Sequence, residues 1–163
     1  MVRACWAESA PFAPQLAALH DELVALETLL AWPEDAQVCH RDLWAENIRS
    51  TPAGGLCVFD WENSGAANPG QELAGVLFEF AHLRPGRGRE LYEAYVEAGG
   101  PGRVRCAADF SMLIAQLGHI GERACRLWLT GVERERIFGT VEEFVADPLS
   151  RDVIDRILDE ITT

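Results

Sequence analysis

The chain has 163 residues, the size of one domain, and a formal net charge of -12 from 26 acidic against 14 basic residues. That balance speaks against nucleic-acid binding and against anionic membrane surfaces, which need clustered cations; it reads first as solubility and second as steering of cationic small molecules. All 14 basic residues are Arg, which excludes a Schiff-base lysine, a P-loop lysine and a lysine on an ATP phosphate.

In chain order, the first predicted helix covers 9–31. Leu16, Leu19, Leu23, Leu26 and Leu30 recur at steps of three and four as one apolar stripe. Ser9 is its expected cap, Pro11 suits its first turn, and Trp32-Pro33 ends it. Residues 38–65 read as loop and short strands. A helix is expected over 71–83, stopped by Arg84-Pro85-Gly86, and another over 90–98, before the breaker 99–102. The span 104–130 reads as one long helix with Phe110, Leu113, Leu117, Ile120 and Leu127 on its buried side. Helices over 133–145 and 150–161 follow, with Asp147-Pro148 between them. The expected fold class is mainly α with a small β-hairpin, in one domain spanning 1–163.

No stretch approaches the about 20 apolar residues that span a bilayer, and no secretion signal is visible. Five scattered cysteines without a CxxC pair read as reduced, mostly buried thiols of a cytoplasmic protein.

Chemistry concentrates in VCHRDLWAENIRSTPAGGLCVFDWENSG, residues 38–65. The strands 47–50 and 56–59 are expected to pair across a four-residue turn, Pro52 to Gly55. This register sets Thr51 opposite Leu56, Ile48 opposite Phe59 and Asn47 opposite Asp60, so an amide oxygen and a carboxylate converge at the open end. Ile48, Ser50, Cys57 and Phe59 then share the face that anchors the hairpin. Hard oxygen ligands on an open site suit Mg²⁺ completed by waters and substrate phosphates. Asp42, five residues before Asn47, is placed to accept or orient a hydroxyl proton.

HRDLWAEN resembles the catalytic loop H-R-D-L-x-x-x-N of kinases. VFDWE in place of D-F-G, followed by NPGQELA, resembles the aminoglycoside phosphotransferase and choline kinase branch. The resemblance spans 38–74. It implies the helical C-terminal lobe of the protein-kinase-like fold, with 1–37 as an N-terminal helix region, 38–65 as catalytic loop and metal hairpin, and 66–163 as the substrate side. It implies Asp42 as the catalytic aspartate, Asn47 and Asp60 as the metal pair, and His40 as a structural loop histidine. Glu72 falls where the family has an Asp that receives loop N–H groups. Arg41 replaces a frequent Gly and is expected to form a local ion pair. The implied cofactors are Mg²⁺ and ATP or GTP, and the implied acceptor is a hydroxyl on a small, cationic molecule.

Turn and cap chemistry is the plain alternative for Asp42, Asn47 and Asp60. Trp44 and Trp61 read as packing, Glu62 as a turn residue, and His20, His82 and His119 as unrelated to one another. Adjacent side chains on an extended loop point apart, which argues against a Cys39–His40 dyad. Glu122, Glu133, Glu135, Glu142, Glu143, Asp147, Asp159 and Glu160 read mostly as solvated surface, with some available to a cationic substrate.

The N-terminal lobe of such an enzyme, with its glycine-rich loop and lysine, is not recognisable; GRGREL from Gly86 carries only two of the three glycines. The sequence therefore reads as a C-lobe whose N-lobe is missing or separate, with an exposed interface prone to self-association. Three functions stay open: a kinase lobe that works with an N-lobe, a non-catalytic module that binds a cationic molecule, and an inactive remnant.

Overall fold

In the computed structural model, which describes residues 10–131 and 134–162, helices flank a short stretch of strands. The elements are α1 (Ala13–Ala18), α2 (His20–Glu27), β1 (Gln37–Cys39), β2 (Ile48–Ser50), β3 (Leu56–Val58), β4 (Gly65–Ala67), α3 (Pro69–Ala81), α4 (Arg87–Glu97), α5 (Ser111–Thr130), α6 (Arg134–Ala146) and α7 (Arg151–Thr162). Single 3₁₀ turns lie at Ala45–Asn47, Trp61–Asn63 and Ala107–Phe110. The chain is mainly α with small antiparallel strand pairs, as its sequence pattern implies. Among the described residues, no helix is long and apolar enough to cross a membrane.

Two compact units form. One comprises the described parts of Met1–Thr28 and Ile114–Arg151. Its core joins Phe12, Ala13 and Leu16 to Ala124, Cys125, Trp128, Ile137 and Val141. The Phe12 and Trp128 rings meet edge to face at 5.0 Å, and the Arg134 guanidinium lies 5.0 Å from the Trp128 ring centre. These contacts combine apolar burial with the ring-quadrupole terms.

The other unit comprises Leu29–Leu113 and the described part of Asp152–Thr163. β1 pairs antiparallel with β4, from Gln37 opposite Ala67 to Cys39 opposite Gly65. α3 follows at once. Its Leu73, Ala74, Leu77, Phe78 and Ala81 form the buried face of one amphipathic helix, packed against α4 and the turn at Ala107–Phe110. Val153, Ile154 and Ile157 of α7 are buried at the same helical spacing.

Several boundaries differ from the sequence expectation. The helix over 9–31 is interrupted at Leu19, where ψ is -4°, and it ends at Glu27. Leu16 and Leu26 are buried, but Leu30 lies beyond the helix and is 48% exposed. Pro14, rather than Pro11, sits in the first helical turn. Ser9 and Glu133, the expected starts of two helices, lie outside the described residues, as does Cys5. α3 begins at Pro69 because Asn68 caps it: its Oδ1 accepts the N–H groups of Gly70 (2.7 Å) and Gln71 (3.3 Å). α5 begins at Ser111, not at 104. The Asp109 carboxylate accepts the N–H groups of Arg105 (2.7 Å) and Cys106 (3.1 Å), a local bonding pattern that competes with helix. On α5, Ser111, Leu113, Ile114, Ala124, Cys125 and Trp128 are buried, as is Phe110 just before it, while Leu117, Ile120 and Leu127 are half-buried. Of the four described cysteines, Cys39 and Cys125 are buried and Cys57 and Cys106 exposed; all are free.

Candidate active site

The β2–β3 hairpin is closed by a three-residue loop, Pro52 to Gly54. Gly54 takes φ 82°, its N–H donates to Thr51 O at 3.0 Å, and Thr51 N–H donates to Gly55 O at 2.8 Å. A positive φ at the third loop position is what this hairpin type requires, and glycine supplies it. The register is Ile48 opposite Val58, Arg49 opposite Cys57 and Ser50 opposite Leu56. The sequence reading placed Gly55 inside the turn, so its register is off by one residue. The expected pairs Thr51–Leu56, Ile48–Phe59 and Asn47–Asp60 do not form.

A one-residue slip exchanges the two faces of a strand. Ile48 faces Val58 and Ser50 faces Leu56, so the face expected to anchor the hairpin does not exist as drawn. Leu56 is 75% exposed. Arg49 lies over the Phe59 ring at 5.4 Å instead. Asn47 meets Phe59, whose N–H donates to Asn47 O at 3.1 Å, and Asp60 lies one residue beyond.

The loop after β1 carries the candidate residues His40, Arg41 and Asp42. His40 is buried; its Nε2 shares a hydrogen bond with Phe59 O at 2.9 Å, and its ring meets Trp61 edge to face at 4.5 Å. The loop histidine thus ties the Asp42 loop to the end of β3. Arg41 takes the left-handed conformation, φ 67°, and donates its N–H to Glu72 Oε1 at 2.6 Å. Glu72, in the first turn of α3, therefore meets the loop backbone despite its extra methylene.

Asp42 is half-buried. Asn47 Nδ2 donates to its backbone oxygen at 2.9 Å and to its Oδ2 at 3.3 Å. Asn63 Nδ2 donates to the same Oδ2 at 3.2 Å. Ala45 N–H, on the turn that carries Asn47, donates to Glu79 Oε1 at 3.0 Å. Asn47 is buried and uses Nδ2 for these bonds, which leaves its acceptor oxygen Oδ1 outside them.

Asp60 takes φ 65° and ψ 56°, and its exposed carboxylate has no hydrogen-bond or ion-pair partner among the described residues. The structure thus brings Asp42 and Asn47 together and leaves Asp60 one residue past Phe59, the residue bonded to Asn47, rather than paired across the hairpin. Asn47 Oδ1 and the Asp60 carboxylate are both hard oxygens, the ligand type Mg²⁺ takes. Among the described residues, no group of three or more His, Cys, Asp and Glu side chains is arranged to hold a metal ion.

Cys39 is no nucleophile here. Its S–H donates to Ala67 O at 3.5 Å, and burial, then the Glu72 carboxylate, push its thiol up to about 11 against the opposing pull of Arg41. His20 pairs with the neighbouring Asp21, and His82 stacks on Phe78. Trp44 is half-buried and Trp61 exposed.

Three contributors were not singled out in the sequence: Asn63, Glu79 and the cap Asn68. Asn68 was readable, since Asn before Pro at a helix start is a capping signal. Asn63 and Glu79 reach the loop only through tertiary contacts, and no spacing rule announces them.

An aspartate held by two amides, with an exposed carboxylate just past the hairpin, presents the residue types that phosphoryl-transfer sites use. In keeping with this, residues 2–108 match the sequence model of the phosphotransferase enzyme family, and the chain belongs to that family. No curated protein and no solved structure matches the chain.

Proposed function

We propose that the chain is the metal- and acceptor-side lobe of a kinase that transfers the γ-phosphoryl group of ATP or GTP to a hydroxyl of a small, cationic molecule. One observation carries this reading: Asp42 has its Oδ2 held by Asn47 and Asn63, while its Oδ1 accepts no hydrogen bond among the described residues. In this reading Oδ1 orients the acceptor hydroxyl and takes its proton. Asn47 Oδ1 and Asp60 hold Mg²⁺, which when bound neutralises phosphate charge. His40 and Glu72 keep the loop in shape. The net charge of -12 favours a cationic acceptor.

The 163 residues contain no lysine. The phosphate-pairing cation is therefore assigned to a separate N-lobe, which would cover part of the exposed apolar surface at Trp32, Val38, Leu56 and Trp61; self-association is the other way to cover it. Free cysteines suit a cytoplasmic location. The missing lysine also favours a second reading, a non-catalytic module that binds the same class of cation.

The test is calorimetric titration of Mg-ATP into the chain, alongside Asp60→Asn. Asparagine tolerates the left-handed conformation, so the fold is preserved in the variant. Binding that needs Mg²⁺ and vanishes in Asp60→Asn is expected, as is, once the N-lobe is supplied, label transfer from γ-labelled ATP to amino-alcohol or aminoglycoside acceptors that fails in Asp42→Ala. Binding indifferent to Mg²⁺ and to Asp60 would overturn the reading.

A further inference from the structure

We propose that Asn63 is a positioning residue for Asp42, deciding which carboxylate oxygen faces the acceptor; the inference rests on the function proposed above. A carboxylate has two chemically equal oxygens, and the terminal torsion of Asp is soft and roughly two-fold. Asn47 alone discriminates weakly between them, because its Nδ2 is shared between the Asp42 backbone oxygen at 2.9 Å and Oδ2 at 3.3 Å. Asn63 approaches from a different element and adds a second donor to Oδ2 at 3.2 Å. Two amides on one oxygen leave the other for the hydroxyl.

Asn63 is exposed, so its worth depends on how firmly its backbone is held. The turn at Trp61–Asn63 is fixed from three directions. Asp60 enters it in the left-handed conformation, and Ser64 N–H closes it on Trp61 O at 3.0 Å. Trp61 Nε1 donates to Val58 O at 3.0 Å. The Trp61 ring rests on His40, two residues from Asp42. The same turn therefore carries the Asp60 carboxylate at its entry and the Asp42 clamp at its end. Setting one sets the other, which links the metal side of the site to the acceptor side.

The test has two readouts on the full chain. By NMR, Asp42→Ala is expected to shift the side-chain amide resonances of both Asn47 and Asn63. In turnover of Mg-ATP with an amino alcohol as acceptor, measured with the separate N-lobe supplied, Asn63→Ala is expected to lower kcat about tenfold, the scale of one lost hydrogen bond to a charged group, with KM for Mg-ATP unchanged. Asn63→Asp is expected to lose more than Asn63→Ala, since it sets a carboxylate against Asp42; a residue that merely supported the turn would give the reverse order. An Asn63 amide unmoved by Asp42→Ala, or an Asn63→Ala enzyme within twofold of wild type while Asp42→Ala is silent, overturns the role of Asn63 and leaves the proposed function standing. Turnover that survives Asp42→Ala overturns the proposed function and the role of Asn63 with it.

Discussion

At the scale of single residues, the site is shaped by two non-glycine residues in the left-handed region, Arg41 and Asp60. Each such residue costs on the order of 1 kcal/mol and persists only where its surroundings dictate it. For Arg41 the dictating contact is the N–H bond to Glu72; for Asp60 it is the entry into the turn that carries Trp61 and Asn63. Cys39 lends itself to a pH prediction. Its thiol is raised from 9.0 to about 11, chiefly by burial. The fold therefore favours the protonated thiol, while the unfolded chain ionises first. This contribution to stability is complete below pH 9 and is lost as pH rises through about 11. Denaturant unfolding should show stability falling more steeply over that window in wild type than in Cys39→Ala. Alkylation near neutral pH should reach the exposed Cys57 and Cys106 well before Cys39.

At the scale of elements, α3 links scaffold to site. Its first turn holds Glu72, and that turn is set by a close backbone approach. A Cβ on Gly70 would lie 2.3 Å from Arg103 O, and one on Gly102 would lie 2.6 Å from Pro69 O. Backbone cannot give way as a side-chain tip does. Gly70→Ala should destabilise by at least about 2 kcal/mol in thermal or urea unfolding. Gly118→Ala is the control: it sits mid-helix in α5 with nothing within 4 Å of the new Cβ, and should stabilise by about 0.5–1 kcal/mol. Helix existence was legible in the sequence because Leu73, Leu77 and Ala81 repeat at helical spacing. Helix ends were less so: Asn68 and Asp109 set them through side-chain bonds to the backbone, which periodicity does not register. In the site, the Asp42–Asn47 contact was legible because it spans five residues. The hairpin register was not, since Gly54 and Gly55 each allow a turn and only the observed positive φ at Gly54 separates the two pairings. Asn63 lies 21 residues from its partner, beyond any local pattern.

At the scale of the whole molecule, charge is the dominant feature. A net -12 over 163 residues raises the free energy of the compact state through self-repulsion. The ion pairs Arg87–Glu90 and Arg126–Glu122 each join residues about one helical turn apart and face solvent, so each offsets little of this. Salt shortens the screening length from about 30 Å at 0.01 M to about 8 Å at 0.15 M. Long-range repulsion between acidic groups is damped over that range more than any short exposed pair is weakened. The thermal midpoint should therefore rise as salt increases, by a few degrees for about 1 kcal/mol of relieved repulsion. Differential scanning calorimetry at a single pH checks this, and a flat or falling midpoint would mean that local ion pairs outweigh the net charge. The same field acts on ligands with the opposite sign. Association of the proposed cationic acceptor should slow over the same salt range while that of a neutral analogue holds steady, so the pair of measurements separates stabilisation of the fold from attraction of a cationic ligand.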